Sequence, residues 1–175
     1  MEEKEKIYIE RQKNYTKRRG SYGPLGSISG CGCGAIALYN VLTYFGIRTD
    51  FMTIVNRFNQ NWPAATSFGG FLGTRITHLY RELKRYPFTV YPVLFTNRAI
   101  RNFHLDQNSA FILLYYWKKN RRLGGHYQAG FGSADGTITL HNPKVTYFGI
   151  EDLLREKRKK ETMWFCMALM IRKKK

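Results

Sequence analysis

In the stretch "CGCGAIALYNVLTYFG", Cys33 opens a run where Ala37, Leu38, Val41, Leu42 and Phe45 recur at helical spacing and Gly46 supplies a C-terminal stop. A cysteine in the first turn of a helix lies beside unpaired N–H groups and the positive end of the helix dipole. Both favour the thiolate, which is the nucleophilic form. Cys33 also stands four residues before Ala37, so it continues the apolar stripe and faces whatever that helix packs against. A base is available in "GGHYQAGFG", where His126 follows two glycines at the head of a strand. The turn "SADG" leads into "TITLHNP", a hairpin partner ending at Asn142, and a loop of two to four residues brings Asn142 opposite residue 127, 128 or 129. Neighbouring strands lie about 5 Å apart, so Asn142 falls beside His126. Its side-chain amide is expected to accept the ring N–H and to hold the other ring nitrogen toward the thiol. Nucleophile, base and orienter thus come in the chain order Cys, His, Asn.

These residues need a helix and a sheet to hold them. Residues 1–19 are charged and polar apart from Ile7, Tyr8 and Ile9, and read as a mobile lead-in. After the Gly-rich stretch and the Cys33 helix, Asp50 can cap a helix over "FMTIVNRFN", and Thr66 or Ser67 can cap a third running to about Arg85. From Pro87 the pattern turns to β-branched and aromatic runs: "FTVYPVLF", "AFILLYYW", "HYQAGFG", "TITLHN" and "MWFCMALMI". Two short helices interrupt them, at "NRAIRNFHL" and at "YFGIEDLLREKRKK". Helices first and antiparallel strands afterwards describe one α+β domain over residues 20–172, with residues 173–175 as a basic tail. Clefts favour the seam between the halves.

The other thiols and imidazoles are weaker candidates. The three cysteines form an odd set, which argues against a disulfide framework and for reduced thiols. Cys31 reads as a bystander in the glycine loop, because a bridge to Cys33 closes a strained ring. Cys166 sits in an apolar strand and reads as core. No second Cys pair or paired histidines complete a four-ligand metal site, so no metal or other cofactor is expected. His78, His104 and His141 read as surface or satisfied histidines; His141 points to the face opposite Asn142 and is the poorer base.

The net charge of +17, from 29 Lys plus Arg against 12 Asp plus Glu, clusters at Lys118–Arg122, Arg155–Lys160 and Arg172–Lys175. Such a field suits an acidic peptide, nucleic acid or an anionic membrane face. No stretch reaches the roughly 18 charge-free apolar residues of a membrane helix, and no signal-type run opens the chain, so a cytoplasmic protein is expected. Nucleic-acid motifs such as paired zinc ligands or an aromatic RNP signature are absent.

Two motifs together resemble a papain-like cysteine peptidase, and most of all the bacterial branch that includes the double-glycine-leader, bacteriocin-processing peptidases. Cys33-Gly34 opens a helix ending in Tyr44-Phe45-Gly46, and Gly125-His126 heads a strand followed after a hairpin by Asn142-Pro143. Cys31 fits this spacing less well. The resemblance spans roughly residues 27–172. It implies a papain-like fold, no cofactor, a peptide substrate, and Cys33, His126 and Asn142 in the catalytic roles. It also implies an oxyanion site built on the Cys33 backbone N–H and on a glutamine six residues earlier, where Ser27 stands. A serine hydroxyl can donate at shorter reach, and Gln12 or Asn14 could fold back to supply an amide instead. Trp117, with Gly124 and Gly125, is the candidate lining of a substrate groove. The same nucleophile would serve acyl transfer to an amine, and a fold retained without chemistry would leave a basic binding module.

Overall fold

The computed structural model describes residues 7–15, 20–67, 70, 73–94, 105–119 and 122–174. A two-residue antiparallel pair, β1 (Ser21–Tyr22) with β2 (Gly26–Ser27), precedes α1 (Ile28–Cys31) and α2 (Cys33–Tyr44). Ser27 caps α1 by accepting from the Gly30 N–H at 3.2 Å. Asp50 caps α3 (Phe51–Gln60) in the expected way, accepting from the Thr53 N–H at 2.9 Å. A short α4 (Trp62–Ala65) and α5 (Ile76–Leu83) complete the helical half. The helix expected to start at Thr66 or Ser67 begins only at Ile76, because Gly70 and Gly73 adopt φ of +96° and +77° and Thr66 bridges to Thr74. Left-handed backbone cannot continue a right-handed helix. Glu82 on α5 is almost wholly buried and accepts from Arg57 of α3 at 2.9 Å, which ties these two helices together.

The second half is a six-stranded sheet with β3 (Phe88–Leu94), β4 (Ser109–Lys119), β5 (Arg122–Gly132), β6 (Ile138–His141), β7 (Val145–Tyr147) and β8 (Met163–Lys173). Its order is β3-β8-β4-β5-β6-β7, and every neighbouring pair is antiparallel. The last strand therefore lies in the middle of the sheet. One helix, α6 (Ile150–Glu161), follows β7. The helix expected over "NRAIRNFHL", with His104, lies outside the described residues.

Strand alternation divides the core into two layers. Ala110, Ile112, Leu114, Tyr127, Ala129, Phe131, Leu169 and Ile171 join α2, α3 and α5 in one cluster. Phe111, Leu113, Tyr115, Leu140, Ala168 and Met170 join Ile150, Leu153 and Leu154 of α6 in the other. α2 is apolar on nearly all sides because it lies inside the first layer, where each fully buried Leu or Ile is worth about 1.5–3 kcal/mol.

The stretch expected to be a mobile lead-in is tied down over residues 7–14. The Ile9 N–H donates to Asn40 Oδ1 at 2.9 Å, and Asn40 Nδ2 donates back to the Ile9 carbonyl at 3.1 Å. A single 3₁₀ turn, Gln12–Asn14, follows, with Gln12 buried.

Candidate active site

Cys33 begins α2 with only 5% of its surface exposed. Burial pushes its thiol up to about 11, and the neighbouring Cys31 adds to the rise. Opposing this, the backbone N–H groups of Tyr127, Gly34 and Cys33 itself are directed at the sulfur. Three buried groups close the space around it. The Tyr22 hydroxyl bonds Thr74 Oγ1, the Tyr127 hydroxyl donates to the Thr74 carbonyl at 3.0 Å, and Gly34 lies directly against the Thr74 side chain. Cys31 is half-buried, and its thiol is also raised by burial, with the Ser27 and Gly73 N–H groups pulling the other way.

His126 stands on β5 opposite Tyr115 of β4, with the two rings edge to face at 5.9 Å. His126 Nε2 lies 2.8 Å from the Asn142 carbonyl oxygen. A carbonyl only accepts, so Nε2 carries a proton and the basic lone pair of the neutral ring is at Nδ1. β6 pairs His141 with Ala129, which brings Asn142 alongside Gln128, inside the window expected from the hairpin. The Asn142 side chain, expected on the imidazole, is instead bonded to Gln12: its Oδ1 accepts from the Gln12 N–H at 3.0 Å and its Nδ2 donates to Gln12 Oε1 at 3.3 Å. The left-handed φ of +72° at Asn142, a conformation asparagine tolerates, goes with this arrangement of carbonyl toward His126 and amide toward Gln12.

Behind His126 runs a buried polar chain. Gln128 Nε2 donates to the carbonyls of Asn142 at 3.2 Å and Pro143 at 3.3 Å. Its Oε1 accepts from Lys157 Nζ at 2.7 Å, and Lys157 also donates to the Tyr115 hydroxyl at 3.1 Å. Neither Gln128 nor Lys157 was singled out from the sequence. The signal for Lys157 was its spacing: with Ile150, Leu153 and Leu154 it completes the inward stripe of α6, although it stands within a basic run.

The two key side chains occupy opposite faces of β5. Tyr127 faces α2 and Cys33, whereas His126 and Gln128 face α6. β6 pairs with Ala129–Gly132, and Asn142 continues it alongside Gln128, so the ladder stops short of His126 and Tyr127. The Tyr127 N–H that meets the Cys33 sulfur belongs to the peptide bond joining His126 to Tyr127. The His126 ring is directed at the Asn142 carbonyl.

The remaining candidates divide between the two faces. The Ser27 hydroxyl is occupied in capping α1. Gln12, considered as a second oxyanion donor, packs against α1, and its Nε2 is spent at 3.0 Å on the Ile28 carbonyl, which also receives the Gly32 N–H. Asn14 is exposed. Trp117 packs over Gly124 on the α6 face, and Tyr116 lies over Gly125 on the Cys33 face. His141 is buried, stacks with Tyr8 and Phe131, and bonds Glu10 through Nδ1. Cys166 is half-buried on the α6 face. Among the described residues, no group of three or more His, Cys, Asp or Glu side chains comes together as a metal site, and no helix is long and apolar enough to cross a membrane.

No protein-family model matches the chain, and no curated protein sequence does either. Among solved structures, the chain is similar to the peptidase domain of Streptococcus ComA, a bi-functional ABC transporter involved in a quorum-sensing pathway. The identity is 14% and the TM-score 0.50, with 80% of this chain and 90% of that chain covered. The likeness is one of fold, with helices and an antiparallel sheet in this chain. The resemblance drawn from the Cys33 and His126 motifs and the likeness of fold lead to the same class of domain.

Proposed function

We propose that the chain is a cysteine peptidase with Cys33 as nucleophile, His126 as general base and Asn142 as the residue that orients the ring. The observation that supports this reading is the position of Cys33 at the start of α2, with the first N–H groups of that helix and the Tyr127 N–H, from the residue next to His126, directed at the sulfur. In this reading Nδ1, the ring nitrogen not bonded to the Asn142 carbonyl, is the one that acts on the thiol. His126 then takes the thiol proton, and the sulfur adds to the peptide carbonyl. The Cys33 backbone N–H is the oxyanion donor at hand. Collapse breaks the C–N bond as the imidazolium protonates the leaving amine, and water attacks the thioester to release the acid and the thiol. Three free cysteines suit work in a reducing compartment such as the cytoplasm.

The substrate in this reading is a peptide or protein, whose scissile carbonyl the Cys33 thiolate attacks. The sequence resemblance favours a leader peptide ending in two glycines, and the charge of +17 favours one with acidic residues. The test is limiting iodoacetamide at neutral pH with the adducts mapped by mass spectrometry. Preferential labelling of Cys33 that is lost in His126→Ala supports the dyad; equal, slow labelling of all three cysteines would sink it.

A further inference from the structure

We infer that Lys157 and Gln128 are positioning residues for His126, fixing through the Asn142 carbonyl which ring nitrogen is free to act as the base. This rests on the reading of His126 as general base, and it concerns two residues outside the Cys33, His126 and Asn142 set.

The chain of contacts is continuous and buried. Lys157 Nζ donates to Gln128 Oε1 at 2.7 Å, Gln128 Nε2 donates to the Asn142 carbonyl at 3.2 Å, and the same carbonyl receives His126 Nε2 at 2.8 Å. Gln128 is fully buried and Lys157 is 3% exposed. An amide side chain has one accepting and one donating end, and the two ends look alike in shape. Lys157, a cation with donors only, settles which way Gln128 points: its oxygen must face Lys157, so its NH₂ must face Asn142 and Pro143. That donor holds the Asn142 carbonyl, the carbonyl holds the Nε2 proton, and the neutral ring keeps its lone pair at Nδ1. A chain of aligned donors in a low-dielectric layer strengthens each link. Tyr115 secures the outer end, since Lys157 also donates to its hydroxyl at 3.1 Å and lies 4.4 Å from its ring centroid.

Lys157 is a costly residue to bury on the inward stripe of a helix whose other inward positions are Ile150, Leu153 and Leu154. Packing alone would be served by a leucine or methionine. The lysine gives Gln128 a single orientation instead.

The experiment reads the ring directly. Nitrogen-15 NMR of imidazole-labelled protein, above the titration of His126, distinguishes the two neutral tautomers. The wild type is expected to show His126 as the Nε2–H form. In Lys157→Met, Gln128 is free to flip, and both tautomers are expected. Gln128→Glu keeps an acceptor for Lys157 and the same shape but removes the donor to Asn142, so it tests the chain where Lys157→Met fails to fold. Cys33 labelling by iodoacetamide should fall about 10-fold in either variant, the scale on which groups that orient a reacting side chain act. A folded Gln128→Glu protein with the wild-type tautomer overturns the inference. If the tautomer shifts while Cys33 is unreactive in every form, the peptidase reading fails and the positioning role stands.

Discussion

The two sides of the sheet are built for different tasks. On the α2 side, the sulfur of Cys33 is enclosed by Tyr22, Thr74 and Tyr127, and its surroundings are neutral and apolar. On the α6 side, His126 belongs to a polar chain that includes a buried cation. A thiol kept in an apolar layer stays protonated, and an imidazole kept in a polar layer stays oriented.

The largest expected effect is the loss of either partner. Cys33→Ala and His126→Ala should each lower peptide cleavage by roughly 10⁴-fold or more, and the double variant should be little worse than the singles, since residues that act as a unit are not additive. Losses that multiply in the double variant would mean that the two faces work independently. The pH dependence of Cys33 labelling sharpens the same point. The raised thiol value belongs to a sulfur without the imidazole beside it. A raised value means less thiolate at a given pH, so in His126→Ala the labelling rate should climb about tenfold per pH unit and level off only near 11. In the wild type, transfer of the thiol proton to the ring should let the rate level off at lower pH than in His126→Ala. Identical profiles would show that the ring never reaches the sulfur.

Next in size are two glycines, one on each face. The Cβ of Gly34→Ala would enter the Thr74 side chain, 2.5 Å from its Cβ, in the closed layer beside Cys33. Thr74 is buried and bonded to Tyr22, so it has little room to yield. The substitution should cost about 1–3 kcal/mol despite the better helix propensity of alanine. Gly124→Ala meets the Trp117 ring, which is only half-buried and can tilt outward, so its cost should be smaller. Thermal melts of the two variants give the comparison; a Gly34→Ala protein as stable as the wild type would show that the α2 layer is looser than its burial suggests.

Much of this plan was legible in the residues. The Cys33 helix, the Asp50 cap, the five apolar strands and the hairpin leading to Asn142 follow from spacing and turn chemistry, which act over a few positions. What the sequence hid depends on which face a residue takes and on contacts distant along the chain. β8 inserts between β3 and β4, and β7 is only three residues long, too short to carry a period. The third helix starts late because two glycines adopt left-handed backbone, which glycine permits but does not announce. The parity of β5 could be read, since His126 and Tyr127 must point to opposite faces. Which of the two looks toward α2 was set by long-range pairing with β4. The role of the Asn142 carbonyl, in place of its side chain, arose from Gln12 on a segment expected to be mobile.

That segment supplies the smallest of the expected effects. Glu10 bonds His141 Nδ1 and receives the Asn142 N–H at 3.4 Å, so it fastens residues 7–14 beside the site without touching Cys33 or the His126 ring. Burial holds His141 below its ordinary value, and Glu10 pulls in the opposite direction. A histidine depressed in the folded state takes up its proton more readily when unfolded. Stability is therefore full above the ordinary histidine value of 6.5 and falls as the pH drops below it. Glu10→Gln removes the opposing pull, depresses His141 further, and should deepen that acid-side loss. At neutral pH the cost should be about 1 kcal/mol for the weakened hydrogen bond, with cleavage reduced less than 10-fold. Melts between about pH 5 and 8 measure both the size and the slope. A loss of cleavage as large as that of His126→Ala would place the N-terminal segment inside the catalytic machinery and make the comparison of two faces one of three.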